Sequence, residues 1–267
     1  MGRTYQDRYG NWAMVTGASS GIGAEFANQL AAAGMNLILV ARRADVLDAM
    51  ASDLSARHGV EVRCVAADLG TEAGIDAVCT IPEEIGLLVH SAGVEVNGAF
   101  ETTDADQGMA LLRLNVLSTF RLTHHFCQGM LKRGRGGIVL VSSLSGHMPN
   151  PYFSNYAGSK AYVLNFGASL RAELRPKGID VHVLSPGPTD TPMAAGTGLD
   201  WSKVPSSVMN ADAVVTEALG NLGGKFLTAP GLMNKMTIWM AKHSPTAMFG
   251  RINEKVLKNA LPPEKLG

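Results

Sequence analysis

Hydrophobic residues make up 46% and charged residues 17% of this 267-residue chain, enough apolar material for one sizeable core. Lysine plus arginine total 23 and aspartate plus glutamate total 23, so no net field recruits nucleic acid or an anionic membrane. The 3 cysteines, Cys64, Cys79 and Cys127, form no CxxC pair and give no case for zinc, another metal or a disulfide framework.

The opening stretch "MGRTYQDRYGN" lacks an apolar h-region, and Gln6 breaks the myristoylation pattern that Gly2 would start. No apolar run approaches the roughly 18 residues of a membrane span, and the cytoplasm is the expected compartment. "WAMVT" (12–16), "NLILV" (36–40), "EVRCVA" (61–66), "GLLVH" (86–90), "GIVLVS" (137–142) and "IDVHVLS" (179–185) read as strands covered on both faces. Residues 22–34, 43–59, 104–133 and 156–176 have helical spacing, with Gly34, Gly59 and Gly178 closing helices. Strands alternating with helices imply right-handed crossovers and an α/β fold with a doubly wound parallel sheet. No linker divides residues 1–267, so a single domain is expected. Residues 186–207 read as a loop with a short helix, and 231–267 as a helical C-terminal extension.

After the first strand comes "TGASSGIG". Gly17 permits the tight turn, while Gly21 and Gly23 let backbone approach a pyrophosphate at the next helix's N-terminus. Ser19 and Ser20 can add hydroxyl donors. Alone, such glycines specify no more than a tight βα turn; between strand and helix they mark a dinucleotide site. The second strand ends "LVARRADVL", with Arg42 and Arg43 and no carboxylate. Two cations at a helix start oppose its dipole, which favours a phosphate partner there and NADP(H) over NAD.

"YAGSK" places Tyr156 and Lys160 on one helix face. A phenol of pKa near 10 serves at neutral pH only where a cation stabilises its phenolate, and Lys160 supplies one. Ser143, at the end of a strand, sits where parallel sheets place ligands. Asn115 is a polar residue in an apolar stripe, either a core amide or an anchor for water. By themselves, YxxxK describes many surface helices and "SSLSG" many turns.

Together "TGASSGIG", "AADL" (66–69), "HSAG" (90–93), Asn115, "VSS", "YAGSK" and "PGPTDT" (186–191), in this order across residues 12–229, resemble the short-chain dehydrogenase/reductase family in its compact single-domain branch. The resemblance implies a Rossmann-like fold and a tetrad of Asn115, Ser143, Tyr156 and Lys160, with Tyr156 as acid–base and 4-pro-S hydride transfer. Asp68 and Leu69 would contact adenine. Ile22 of the glycine loop, with Ala92 and Gly93, would join the cofactor contacts, and Pro186, Gly187, Thr189 and Thr191 would cover the nicotinamide. The family usually has "NNAG" where this chain has "HSAG", so His90 either keeps a cofactor-side hydrogen bond or supports the strand from the core. Thr189 stands where Val or Ile is common.

The substrate pocket is expected between 147–153, the "VEV" after Gly93 and the 188–207 loop, with Met148, Tyr152, Phe153 and Met193 giving it an apolar cast. A hydrophobic ketone or acyl-type carbonyl, interconverted with its alcohol, is the expected substrate. Glu95 reads as a solvated loop residue, with a rim charge as the alternative. The tail's methionines and Trp239 read as core or subunit packing, with a pocket lid or membrane contact as alternatives. Helices 104–133 and 156–176 carry apolar stripes, including Leu112, Val116, Phe120, Phe166 and Leu170, wide enough to predict a homodimer or homotetramer. An NADP-binding sensor or scaffold without turnover, and a lyase or epimerase, are the rival readings; the complete tetrad opposes the first and the glycine spacing the second.

Overall fold

Strands that are apolar on both sides need helices on both faces, and that requirement organises the chain. A computed structural model describes residues 4–267, so Gly2 and its lipid-anchor pattern lie outside the described residues. The elements are α1 (Tyr5–Tyr9), β1 (Trp12–Thr16), α2 (Gly21–Ala32), β2 (Asn36–Ala41), α3 (Ala44–His58), β3 (Val62–Ala66), α4 (Glu72–Cys79) and β4 (Ile85–His90). Then follow α5 (Ala105–Leu112), α6 (Ser118–Arg133), β5 (Gly136–Val141), α7 (Ser154–Leu174), β6 (Ile179–Leu184), α8 (Pro192–Gly196), α9 (Ala211–Asn221), β7 (Leu227–Thr228), α10 (Leu232–His243) and α11 (Thr246–Ala260).

The strands form one 7-stranded parallel sheet in the order β3-β2-β1-β4-β5-β6-β7. The expected doubly wound α/β fold is therefore present. Alternation along each strand divides the core. Val15, Leu39, Leu87 and Val139 point to the side of α2, α3 and α9, where Phe26, Leu30, Leu47 and Val215 meet them. Met14, Ile38, Leu88 and Ile138 point to α4, α6 and α7, packing with Ile75, Leu122, Phe126 and Val163.

Three departures from the sequence reading have local causes. Residues 104–133 are not one regular helix: Arg113–Leu117 forms a π turn between α5 and α6. Short α4 carries Gly74 in its first turn, because a Cβ there would lie 2.0 Å from the Asp68 carbonyl oxygen. In α9, the β-branched pair Val214–Val215 masks a helix that both residues bury against the core.

The strand order reverses between β1 and β4. Thr16 is opposite Val40 on one side and His90 on the other, so the crevice opens where β1 and β4 end.

Candidate active site

β1 ends at Thr16, and the chain turns into α2 through Gly17 (φ +67°) and Gly21 (φ +56°), backbone conformations that glycine adopts without penalty. A Cβ on Gly17 would lie 2.9 Å from the Ala92 backbone, and one on Gly23 would lie 2.2 Å from the Gly17 carbonyl oxygen. The Thr16 hydroxyl accepts from the amides of Ser91 (3.2 Å) and Ala92 (3.1 Å), pinning the chain after β4 to the end of β1. Thr16 opens the TGASSGIG motif, but this role was not assigned from the sequence, because a strand-end threonine does not reveal which amides it will meet.

A cleft opens above this junction. Gly17, Ser19, Ser20, Gly21, Ile22 and Gly23 form one wall, Arg42, Arg43, Asp68 and Leu69 another, and Ala92 and Gly93 lie between them. Tyr156, Lys160, Pro186 and Thr191 close the far end. Ser20 caps α2 without a side-chain bond, so the first-turn N–H groups keep donors for an anion. Arg43 donates to the Ser19 carbonyl (3.1 Å) and hydroxyl (3.0 Å), drawing its charge over the glycine loop.

Three expected contacts stand behind the cleft rather than on its wall. His90 is 2% exposed and hydrogen-bonded through Nε2 to the Ser118 hydroxyl at 3.2 Å. Burial, with the Lys160 charge adding, pushes its pKa down to about 3, so the ring is a neutral core group. Gly187 gives its space to Asn234 of α10, whose amide would lie 2.5 Å from a Cβ. The Thr189 hydroxyl bonds the Gly187 carbonyl at 3.0 Å and faces into the loop.

The tetrad residues are gathered by neighbouring elements. Asn115 lies in the π turn, 1% exposed, where the widened helix presents its amide to the loop after β4. Its Oδ1 accepts from the Val94 amide and its Nδ2 donates to the Val94 carbonyl, both at 2.9 Å; Nδ2 also reaches the Ser159 hydroxyl at 3.1 Å. Lys160 is 5% exposed and donates from Nζ to the Val141 carbonyl at 3.0 Å. The Ser142 hydroxyl donates to the Lys160 carbonyl at 2.7 Å, tying β5 to α7. The hydroxyl of Ser143, the next residue, accepts from the Ser145 amide at 3.2 Å and lies close enough to the Tyr156 phenol to lower its pKa.

One electrostatic expectation changes. Burial, then the charge of Glu95, raises the Tyr156 pKa above its ordinary value, and the Ser143 hydrogen bond only partly opposes this. Lys160 lies with Nζ 5.7 Å from the phenol ring centroid and is itself lowered to about 8, chiefly by burial. The phenol thus holds its proton firmly here.

A family profile described as short chain dehydrogenase matches residues 11–200. The chain belongs to the short chain dehydrogenase family. A 7beta-hydroxysteroid dehydrogenase of Collinsella aerofaciens is 28% identical over 246 residues, which cover 90% of this chain and 94% of that protein. A very-long-chain 3-oxoacyl-CoA reductase of Aspergillus clavatus is 36% identical over 181 residues, 66% of this chain and 52% of that reductase, so the chain spans about half its length. The solved structure of a short-chain dehydrogenase from Sphingobium yanoikuyae in complex with NADPH superposes with TM-score 0.78 at 32% identity, over 88% of this chain and 97% of that one.

Beside the cleft of this dehydrogenase, Tyr156 packs in an apolar cluster with Leu111, Phe153, Leu257 and Leu261, and Val94 and Val96 border it. The tail after α11 is bound in place: Ala99 N–H donates to the Lys265 carbonyl and Asp200 N–H to the Ala260 carbonyl, both at 2.9 Å. Tyr152 adopts φ +65°, uncommon for a residue with a Cβ, and its carbonyl is held by the Gly98 amide at 2.8 Å. Met193, expected on the substrate-pocket wall, lines the same cleft as the glycine loop.

Glu95 is a loop residue, half-buried rather than fully solvated. It follows the anchored Val94, accepts from Asn97 Nδ2 at 3.3 Å, and its carboxyl is raised to about 7 by burial, against the Asn97 hydrogen bond and the charges of Lys265 and Lys160. An unfolded Glu95 ionises near 4.5, whereas the folded carboxyl keeps its proton to about 7. Between these values the unfolded state has released a proton the folded state retains, so stability falls as pH rises through the interval. Glu95→Gln removes that loss. Urea unfolding should find the variant more stable by about 1–3 kcal/mol near pH 8, with the gap closing toward pH 5. A gap independent of pH would contradict the burial.

Proposed function

We propose that this short-chain dehydrogenase reduces the carbonyl of a hydrophobic ketone or acyl-type substrate with NADP(H), the reaction being reversible with the alcohol. The observation that carries the reading is buried Tyr156 and Lys160, with half-buried Ser143 beside the phenol, on a cleft whose other wall holds Arg42 and Arg43. NADPH, when bound, supplies the hydride. The α2 N-terminus and glycine-loop amides would hold the pyrophosphate, Arg42 and Arg43 the 2′-phosphate, and Asp68 and Leu69 the adenine side. Ile22, Ala92, Gly93, Pro186 and Thr191 would border the dinucleotide.

Ser143 donates a hydrogen bond to the substrate oxygen where negative charge develops. Tyr156, which holds its proton at neutral pH, delivers it to that oxygen. Lys160 stabilises the phenolate left behind. Asn115 acts through Val94 and Ser159, fixing the floor on which these groups meet. The apolar cluster around Tyr156 and the steroid and long-acyl names of the relatives support a bulky apolar substrate. The cytoplasm is the proposed compartment.

The phosphate assignment is tested by cofactor discrimination. Arg42→Ala should raise the KM for NADPH by about 10- to 100-fold, the loss of one charge-assisted contact of roughly 1.5–3 kcal/mol, and leave that for NADH nearly unchanged. Equal losses with both cofactors would remove Arg42 from the phosphate site.

A closed homo-oligomer across α6 and α7 is part of the same reading. Phe120 (45% exposed) of α6 and Tyr162 (36%) of α7 stand out, with Leu117 (55%) in the π turn leading into α6, and the Phe120 and Phe166 rings lie 6.3 Å apart. Light scattering should return a dimer or tetramer. A monomer at micromolar concentration would oppose it.

A further inference from the structure

α10 turns an apolar arc to solvent. At about 100° per residue, Leu232, Met233, Met236, Trp239 and Met240 share one arc of roughly 120°. All five are exposed, Leu232 at 72% and Trp239 at 62%, while Asn234 and Ile238 of the opposite side are buried. α11 continues the surface with Met248 (49%) and Ile252 (54%).

The charge on this surface is one-sided. α10 and α11 carry Lys235, Lys242, Arg251, Lys255 and Lys258 against the single acid Glu254, in a chain whose totals balance. Lys258 takes Glu254 at 2.8 Å and Lys235 takes Glu217 of α9 at 2.9 Å. Among the described residues, Lys242, Arg251 and Lys255 have no ion pair. A second copy across a two-fold axis would bring these cations against like charges without an acid to receive them. An anionic lipid surface satisfies both features: headgroups pair the cations, while tryptophan, leucine and methionine enter the acyl boundary.

We propose that the α10–α11 face docks this enzyme on an anionic lipid surface. The contact is interfacial, since no described helix is long and apolar enough to cross a membrane. α11 runs on to Leu257 and Leu261, which pack in the cluster containing Tyr156, so the lipid would lie beside the substrate end of the site. Delivery of an apolar substrate from the bilayer rests on the reduction proposed above; the docking does not.

The test is co-sedimentation of the full chain with vesicles of phosphatidylcholine, with and without about 30% phosphatidylserine. Wild type should bind the anionic vesicles, release with salt, and shift its tryptophan emission to the blue. Leu232→Ser/Met236→Ser/Trp239→Ser should abolish binding and the shift. Lys242→Ala/Arg251→Ala/Lys255→Ala should weaken binding by roughly fivefold per cation removed. Both variants should keep wild-type turnover of a water-soluble ketone and wild-type circular dichroism, which excludes misfolding as the cause. Wild type remaining in the supernatant at low salt, or binding that survives both variants, overturns the proposal. So does a wild-type oligomer that the serine variant alone dissociates, since a second copy would then own the face.

Discussion

A buried ammonium is expensive unless its surroundings answer it, and Lys160, 5% exposed beneath the cleft, is the group this site is built to accommodate. The Val141 carbonyl at the end of β5 accepts from its Nζ, and Ser142 binds its backbone, so strand and helix are locked at that level. Gly93 leaves room beside it: a Cβ there would lie 3.2 Å from Asn115 Oδ1 and 3.4 Å from Lys160 Nζ. The same positive charge adds to burial in keeping His90 neutral, and it opposes the upward shift of Glu95. Ser143 directly follows that lock in the chain, and Tyr156 lies one helical turn before Lys160 on α7.

The glycine loop depends on a second constraint, close backbone approach. Gly17 touches the Ala92 backbone, and the Thr16 hydroxyl collects two amides from the chain after β4. The cleft is therefore formed by main chain from both sides of the point where strand order reverses. Arg42 and Arg43 bring positive charge to that cleft, beside the carboxylate of Asp68.

Much of this was legible in the sequence because strands covered on both faces leave continuous apolar runs, and because βα turns that approach a ligand must be glycine. The parts that were not legible depend on contacts between distant segments. The π turn at Arg113–Leu117 was not legible because helical spacing runs on both sides of it, through α5 and α6. Glu95 reads as a loop charge until the tail, through Lys265 and Asn97, is seen to fold over it. His90 and Thr189 lie within matching motifs, yet their side chains turn into the core and the loop. A motif aligns backbones more faithfully than it assigns side-chain directions. The tail showed the same limit: Leu257 and Leu261 join the core cluster, whereas Trp239 faces water at identical helical spacing.

Proton delivery by Tyr156 is the claim on which the functional account stands. Tyr156→Phe keeps the ring in its apolar cluster and removes the hydroxyl alone, so fold and NADPH binding should persist. Single-turnover oxidation of NADPH by a ketone, measured alongside cofactor binding by fluorescence, tests it most directly. The account predicts normal binding with turnover lowered by roughly 10²–10⁴. Normal binding with turnover within about threefold of wild type, far short of that range, would contradict it and require another acid.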